Sequence, residues 1–600
     1  MSQPRSEIDY GILIRRSLFF LTLVSLTLCN LFLLFRGLTS PHAMDQAQIA
    51  REMARGNGAS TQFIRPADYY LAAKAAKDDA VPFEGFKDTY HAPLNPWITS
   101  IVFKLVGADN PDAYPMGPAE GIFPLDRVVA TLSTIFFLLA IGVNYVLIAR
   151  IFDPKIAGAC AVILLFSSVL WGFALSGLPQ MLMLLLFSTA LLFVYLAIEK
   201  HHEGKSALLH ALLAGLFFSL LALTHWVAIW IALGYLLFAA IVFRPRGVVG
   251  ASLFGILLLA GIFVIVRNLQ ITGEPFGAAF ITRANGLGMG AEMKDMRELG
   301  PYVPDYNFKG LIQRVFQLVL AQFGQIVPLL AGILVAPFFF LSLLHPFKSP
   351  NIGMLRWALL SMWLLAVLGL AFFGISDEPL DPNQIHLLFA PLMTAYGVAL
   401  VSILWTRLDF VGYIPMLRNA HLFAICIICA APLLLKLPRA VKIGMQHNEN
   451  PFYANWPPYY APALHDSQEG MRAWVDKDEI VVSDQPWAVA WYADRMSVWL
   501  PSSVEDFRAL EDAAEENDTP FAGILISPVS HGEHTVRETV QLYDDFAPLV
   551  LNSAVIEVTQ PRSILIHDKA SHLKTLTADY PHLEPLLNPQ IIFYSADPVR

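Results

Sequence analysis

Apolar runs long enough to cross a bilayer dominate this 600-residue chain and restrict it to a polytopic membrane protein. A helix needs about 20 apolar residues to cross the hydrocarbon core. Hydrophobic residues make up 56% of the chain and charged residues only 15%, which excludes an ordinary soluble protein and gives no reason to expect nucleic acid as a partner. Eleven spans are predicted, at residues 12–38, 124–149, 156–175, 178–198, 206–224, 226–243, 248–266, 323–344, 357–374, 385–405 and 419–436.

Basic residues in the short connections predict the orientation of the chain, because Lys and Arg near span ends stay in the cytoplasm. They precede the first span and then occupy alternate connections, at Arg5, Arg15, Arg16, Arg150, Lys155, Lys200, Lys205, Arg244, Arg246, Lys348, Arg356, Arg407 and Arg418. The prediction is a multi-pass protein of the cell (inner) membrane with a cytoplasmic amino terminus. Three long segments, 39–123, 267–322 and 437–600, then face outward, and function is expected there.

The composition divides the chain into a transmembrane module, residues 1–440, and an acidic carboxy-terminal domain, residues 441–600. In this domain short apolar runs alternate with helical patterns, which predicts a compact extracytoplasmic α/β fold. The expected elements are strands at 479–484, 521–527, 563–567 and 591–594 and helices at 467–476, 503–516 and 535–546. Asp484 and the pair Asp494-Arg495 follow a strand, where open α/β sheets bind ligands, but a turn with a local ion pair is equally consistent.

One carboxylate, Asp45, stands only a few residues beyond the first span. It is therefore expected where lipid and water meet. A charged group at that depth can act on a substrate whose tail lies in the bilayer and whose head is polar. Aspartate is also a favoured N-cap residue, so the alternative is that Asp45 caps a helix beginning near Gln46.

Three sequence features occur in a fixed order over the first 280 residues. Asp45 opens a segment of Ala-x-x-Ala-x-x-Met character ending in Gly, His91 begins a His-x-Pro-Leu segment, and Arg267-Asn268 precedes Gly273-x-Pro-Phe. In these features the chain resembles the type C membrane glycosyltransferases, which include protein O-mannosyltransferases and the aminoarabinose transferases of lipid A. The resemblance implies a mainly α polytopic membrane protein (the GT-C fold, about 11 transmembrane helices) with a C-terminal extracytoplasmic α/β domain.

The resemblance also implies a donor, an acceptor and a base. The donor is a polyprenyl-phosphate sugar drawn from the membrane lipid, the acceptor is an unknown glycan, lipid or protein outside the membrane, and Asp45 is the catalytic base. A sugar on a lipid phosphate already has a good leaving group. The enzyme must therefore mainly deprotonate the acceptor and stabilise the departing phosphate charge.

Three arginines are candidates for binding the donor phosphate, because a guanidinium suits phosphate geometry. Arg267, at the end of the seventh span, is the first candidate, with Arg65 and Arg283 behind it. An arginine at a membrane interface often only extends its charge to the lipid headgroups, and this alternative is equally consistent with Arg267.

Auxiliary roles in acceptor or phosphate binding are assigned to His91, Asp88 and His386. His91 is equally typical of an ordinary loop histidine, and His386 stands where relatives carry Arg-Tyr before a proline. Possible second acids are Asp88, Asp68, Glu120 and Asp126, of which Asp126 is expected to pair with its neighbour Arg127.

No metal or other cofactor is predicted, because Gln46 stands where the mannosyltransferases carry a glutamate. The main alternative function is a transporter or flippase of lipid-linked glycans. Ion-coupled transporters carry ionisable residues inside their spans, and these are nearly absent here, which favours an interfacial enzyme. An oligosaccharyltransferase is a third possibility, but the Trp-Trp-Asp sequence expected of that family is absent.

Overall fold

The structure is a computed structural model that describes residues 10–77, 80–116, 121–281, 294–301, 308–373, 380–408, 414–447, 461–465, 470–527, 530, 535–551, 553, 576, 578–586 and 591–598. Helices dominate it. The main ones are α1 (Tyr10–Leu28), α2 (Pro41–Arg55), α3 (Pro66–Ala76), α4 (Leu94–Val106), α5 (Pro124–Ile151), α6 (Pro154–Leu165), α7 (Ser168–Ser176), α8 (Gln180–His202), α9 (Leu208–Ala222), α10 (Ile229–Val242), α11 (Arg246–Thr272), α12 (Phe308–Gly324), α13 (Pro350–Phe373), α14 (Ala390–Trp405), α15 (Ala420–His447), α16 (Val504–Glu516) and α17 (Val536–Tyr543).

Seven helices of the described chain are long and apolar enough to cross a membrane, and the bent pair α6–α7 makes an eighth if it is one span. The chain bends by 58° between the two helices of that pair. The predicted spans at 206–224 and 226–243 correspond to the shorter apolar helices α9 and Trp226–Val242. The chain is therefore a multi-pass membrane protein.

The predicted span at 323–344 is not one continuous helix. Helix α12 ends at Gly324, and the described run beyond it contains only the short helices Ile326–Leu329 and Phe338–Ser342. Pro328 and Pro337 lack backbone donors, and Gly332 has a φ of 67°, so the backbone cannot continue as one helix. Hydropathy alone does not detect these interruptions.

A six-stranded sheet lies beside one end of the helical bundle. Its strands are β1 (Phe63–Ile64), β2 (Ile480–Ser483), β3 (Met496–Trp499), β4 (Phe521–Ile526), β5 (His582–Leu586) and β6 (Ile591–Ser595), in the order β1-β3-β2-β4-β6-β5. The first four are parallel, and β6 runs antiparallel to β4 and β5. The α/β character and three of the expected strands are confirmed; the strand expected at 563–567 lies outside the described residues.

Strand β1 comes from the first loop, residues 39–123, and not from the carboxy-terminal domain. It pairs with β3 through Phe63 opposite Ser497 and Ile64 opposite Val498. Two apolar residues are too short a run to predict as a strand. The pairing joins the first loop to the carboxy-terminal domain in a single sheet.

Close packing of α10 on α13 depends on Gly234. A Cβ atom at this position would lie 2.6 Å from the Met362 Cα atom and 3.0 Å from the Ser361 carbonyl oxygen. Small residues allow membrane helices to approach in this way. We expect Gly234→Ala to destabilise the protein by about 1–3 kcal/mol through overpacking, seen as a lower Tm in detergent. Gly142→Ala is the control, because Gly142 has nothing within 4 Å; equal Tm values for the two variants would contradict the prediction.

Candidate active site

Helix α2 carries Asp45 into the interior of the protein. Proline occupies its first turn and Gly56 ends it with a φ of 94°, a conformation that glycine adopts without strain. Asp45 is the fifth residue of the helix, so the alternative that it caps a helix starting near Gln46 is wrong. Nearly all of α2 is buried, because it packs against α4 on one side and the short helix Pro486–Ala488 on another.

Both oxygens of the Asp45 carboxylate are engaged. Arg65 Nη2 donates to Oδ2 over 2.6 Å, and Gln48 Nε2 donates to Oδ1 over 2.9 Å. Asp45 is 1% exposed and Arg65 is 3% exposed, so the pair is withdrawn from water. Gln48 also donates to Thr61 Oγ1 over 2.6 Å, which fixes its amide toward the carboxylate.

Arg65 is positioned by its chain neighbours and by two aromatic rings. It directly follows β1 and precedes α3, so the sheet determines where its backbone lies. Its guanidinium carbon lies 4.1 Å from the ring centroid of Tyr90 and 4.2 Å from that of Phe63. This arrangement favours a cation electrostatically and restricts the rotamers of the side chain.

His91 lies between two carboxylates. Its Nε2 is 3.6 Å from Asp45 Oδ2, and its Nδ1 is 3.4 Å from Asp88 Oδ1. Asp88 also accepts from the backbone nitrogens of Tyr90 and His91, which fixes the carboxylate beneath the ring. Nε2 is buried and has no hydrogen-bond partner among the described residues.

These charges determine the protonation of the imidazole. Burial alone would lower the pKa of His91, but the Asp45 and Asp88 carboxylates outweigh burial and raise this pKa above its usual value. Burial likewise opposes ionisation of Asp88, yet the neighbouring His91 lowers the pKa of Asp88 below its usual value. The structure therefore favours an imidazolium between two carboxylates.

A small cavity of about 30 Å³ opens beside His91. Five chain segments enclose it, and its lining residues are His42, Gln46, Tyr90, His91, Ala92, Pro179, Thr224, His225, Trp226, Pro382 and Asn383. The volume accommodates two or three water-sized groups. Asp45 does not line this cavity, and His91 separates its carboxylate from the open space.

The other residues predicted to bind phosphate or to assist in binding are Arg267, His386 and Arg283. Arg267 Nη2 donates to the backbone oxygens of Asp88 (2.7 Å) and Ala59 (3.2 Å), so it supports the loop that carries His91. His386 is buried and its Nε2 lies 2.8 Å from Gln322 Oε1, away from the cavity lining that the structure describes. Arg283 lies outside the described residues.

The possible second acids have structural partners. Burial raises the pKa of Asp68 to about 7, and its Oδ1 accepts from Thr89 Oγ1. Asp126 accepts from Trp491 Nε1 at 2.7 Å and Tyr492 Oη at 3.0 Å. The expected Asp126–Arg127 ion pair is wrong, because adjacent side chains on a helix point in different directions. Glu120 lies outside the described residues.

Asp484 and Asp494 in the carboxy-terminal domain differ in their partners. Asp484 accepts from the nitrogen and Oγ of Ser527 at the end of β4, and burial raises its pKa to about 6. Asp494 and Arg495 are linked locally through the Asp494 carbonyl oxygen, which accepts from Arg495 Nη1 at 3.1 Å, and not through the carboxylate. The Asp494 carboxylate instead binds two arginines of α2, Arg51 and Arg55.

Sequence reasoning missed the contacts of Gln48 and Thr61 beside Asp45 and those of Arg51 with Asp494. One signal was available, since Arg51 and Arg55 stand four residues apart on a helix and so share one face. Gln46 stands where the mannosyltransferases carry a glutamate. It lines the cavity, and its Oε1 accepts a hydrogen bond from Asn95 Nδ2 at 2.6 Å. Among the described residues no group of three His, Cys, Asp or Glu side chains is arranged to hold a metal ion.

No protein-family model matches the chain, and no curated protein matches it. Solved structures do. The oligosaccharyltransferase of Archaeoglobus fulgidus, tethered with an acceptor peptide containing the NVT sequon, matches with a TM-score of 0.50 and 14% identity, covering 91% of this chain and 72% of that one. The same oligosaccharyltransferase in complex with Zn and sulfate also matches with a TM-score of 0.50. The identity is 15%, and the match covers 89% of this chain and 70% of that one.

The ArnT structure from Cupriavidus metallidurans bound to undecaprenyl phosphate gives a TM-score of 0.49 and 15% identity, covering 86% of this chain and 94% of that one. The two oligosaccharyltransferase matches show the fold. The chain has the GT-C fold that its sequence predicted, with a small carboxy-terminal sheet domain.

Proposed function

We propose that this chain is an inverting glycosyltransferase that moves a sugar from a polyprenyl phosphate onto an extracytoplasmic acceptor, with Asp45 as the general base. The observation that carries the proposal is the buried Asp45–Arg65 pair next to His91, which lines a small cavity. A buried ion pair adds little net stability compared with apolar residues of the same volume. Its presence at a cavity therefore favours a functional role over a structural one.

The fold supports the same class of reaction by analogy. The Archaeoglobus protein of this fold is an oligosaccharyltransferase captured with an acceptor peptide, so the fold can bring an acceptor to a membrane enzyme. The nature of the acceptor and of the sugar does not transfer with the fold. Both are left open in the proposal.

In the proposed reaction the acceptor hydroxyl oxygen attacks the anomeric carbon of the donor. The bond from that carbon to the phosphate oxygen breaks, and the polyprenyl phosphate leaves with the electron pair. Asp45 takes the hydroxyl proton. Arg65 holds the Asp45 carboxylate in place through a hydrogen bond of 2.6 Å, and because the leaving group is good, a weak base suffices. Substrate entry must displace His91 from between Asp45 and the cavity.

The departing phosphate needs positive charge, and His91 and Arg267 are proposed to supply it. Nε2 of His91 lies 3.6 Å from Asp45 Oδ2 without a hydrogen bond among the described residues, and a protonated His91 displaced from Asp45 would donate this Nε2–H to a phosphate oxygen. Arg267 supports the backbone of Asp88, three residues before His91, and its guanidinium is half-buried at the end of α11. Together they form the proposed phosphate-binding side of the site.

Replacing Arg267 by Ala is expected to weaken binding of undecaprenyl phosphate about tenfold, the loss of one charge-assisted hydrogen bond. The Kd is measured with the purified protein, and Tm is recorded in parallel. Lys104→Ala, which removes an exposed cation from α4, is the control. An unchanged Kd with a lowered Tm would restrict Arg267 to support of the loop.

The function itself is tested with membranes from a strain that lacks this protein, because they contain the unmodified acceptor. The purified protein is supplied with these membranes and a panel of undecaprenyl-phosphate hexoses and pentoses. A glycosyltransferase releases undecaprenyl phosphate from at least one donor and adds its sugar to an envelope component, which mass analysis identifies. Movement of the intact lipid-linked sugar across liposomes without such release would instead establish a flippase.

A further inference from the structure

The helix that carries Asp45 is bound to the carboxy-terminal domain through two arginines. Arg55 binds the Asp494 carboxylate through two nitrogens, at 2.9 and 2.8 Å. Arg51 is fully buried; its Nη2 lies 3.0 Å from Asp494 Oδ1, and its Nη1 donates to the Trp491 carbonyl oxygen at 2.8 Å. A pair of nearby guanidinium groups outweighs burial and lowers the pKa of Asp494 well below its usual value.

The partner of Asp45 is bound to the same short segment of the carboxy-terminal domain. Arg65 directly follows β1, and β1 pairs in parallel with β3, which begins two residues after Asp494. The link is extended by Gln62, whose carbonyl oxygen accepts from the Ser497 nitrogen at 2.8 Å. Gln62 Nε2 also donates to Asp494 Oδ1 at 3.3 Å.

Both members of the Asp45–Arg65 pair are therefore attached to residues 490–499, one by ion pairs and the other by strand pairing. We infer that residues 490–499, which we name the positioning segment, set the geometry of this pair, and that Asp494 is a positioning residue for the transfer reaction. The inference rests on the proposed function of Asp45. It assigns the carboxy-terminal domain a role in catalysis although Asp494 contacts neither Asp45 nor the cavity lining.

The arrangement explains why α2 contains two buried or half-buried arginines that face the carboxy-terminal domain. Burial lowers the pKa of Arg51 to about 10, because burying the charged guanidinium costs free energy. The Asp494 carboxylate offsets part of that free energy. Loss of the Asp494 charge would leave Arg51 buried without its counter-ion. Helix α2 would then shift relative to β1, and the Asp45–Arg65 geometry would change with it.

The test uses Asp494→Asn, which keeps the shape of the side chain and tolerates the left-handed backbone of Asp494 (φ 54°). Amide hydrogen exchange is measured over residues 41–55 and 61–65, together with kcat and KM for the undecaprenyl-phosphate sugar on which the wild type is active. We expect faster amide exchange in both segments and a kcat about tenfold lower with KM unchanged. The reason is that a small misplacement of the reacting groups slows the chemical step strongly.

Two further variants make the result specific. Arg55→Gln removes the same ion pair from the α2 side while Arg51 still neutralises Asp494, and it should give the same pattern if Asp494→Asn fails to fold. Asp478→Asn changes an exposed carboxylate of the same domain and should match the wild type. Unchanged exchange in both segments, or unchanged kcat despite faster exchange, overturns the inference. A wild type that releases no undecaprenyl phosphate overturns the proposed function itself.

Discussion

Asp45→Asn is expected to lower kcat for sugar transfer by about 10³-fold, the contribution typical of a general base. Asparagine keeps the size of the side chain and can still accept from Gln48, but it cannot take the proton of the acceptor hydroxyl. The KM for the undecaprenyl-phosphate donor should change little, because the proposed base acts on the acceptor. The measurement is the release of undecaprenyl phosphate in the presence of acceptor-containing membranes.

Stability must be separated from catalysis in this experiment. Asp45→Asn breaks the buried ion pair with Arg65, and breaking such a pair costs about 3–5 kcal/mol. Asp484→Asn is the matched control, since Asp484 is also 1% exposed and its carboxylate is also hydrogen-bonded, but it accepts from Ser527 at the end of β4 and not from a residue of α2. The control should lose stability and keep kcat. Retained transfer by folded Asp45→Asn would remove Asp45 from the role of base.

The fold was predictable because apolar length and strand periodicity are local properties. Runs such as 124–149 and 178–198 correspond to α5 and α8, which extend only a few residues beyond them. The errors occurred where backbone chemistry interrupts an apolar run, as at Pro328 and Pro337. The pairing of β1 with β3 was not predictable, since it joins residues more than 430 positions apart through a strand of two residues.

The site was predictable in its members and not in its connections. The sequence analysis named Asp45, Arg65 and His91 as candidates, and the structure places Arg65 and His91 within hydrogen-bonding or ion-pairing distance of Asp45. The Asp45–Arg65 pair could not be derived from spacing, because the rest of α2, a loop and β1 lie between the two residues. The pairing of Asp494 with α2 is likewise a property of the folded chain alone.

His91→Gln is expected to lower kcat by about 10²-fold and to change its pH dependence. The proposed role needs the imidazolium, whose pKa is raised by Asp45 and Asp88. The contribution of the imidazolium is therefore fully present below the raised pKa and is lost as the pH rises through it. Glutamine can donate a hydrogen bond to the phosphate but does not titrate. The variant should retain a low rate without the alkaline loss that the wild type shows.

Asp88→Asn tests the cause of that alkaline loss. It removes one of the two carboxylates that raise the pKa of His91 but leaves the imidazole in the site. The loss of kcat should then occur at a lower pH than in the wild type, because the imidazolium is less stabilised. A shift in this direction would show that the loss of kcat at alkaline pH is caused by deprotonation of His91, whose pKa depends on the Asp88 charge. An alkaline limb that persists unchanged in both His91→Gln and Asp88→Asn would belong to another group, and His91 would then act only as a neutral hydrogen-bonding residue.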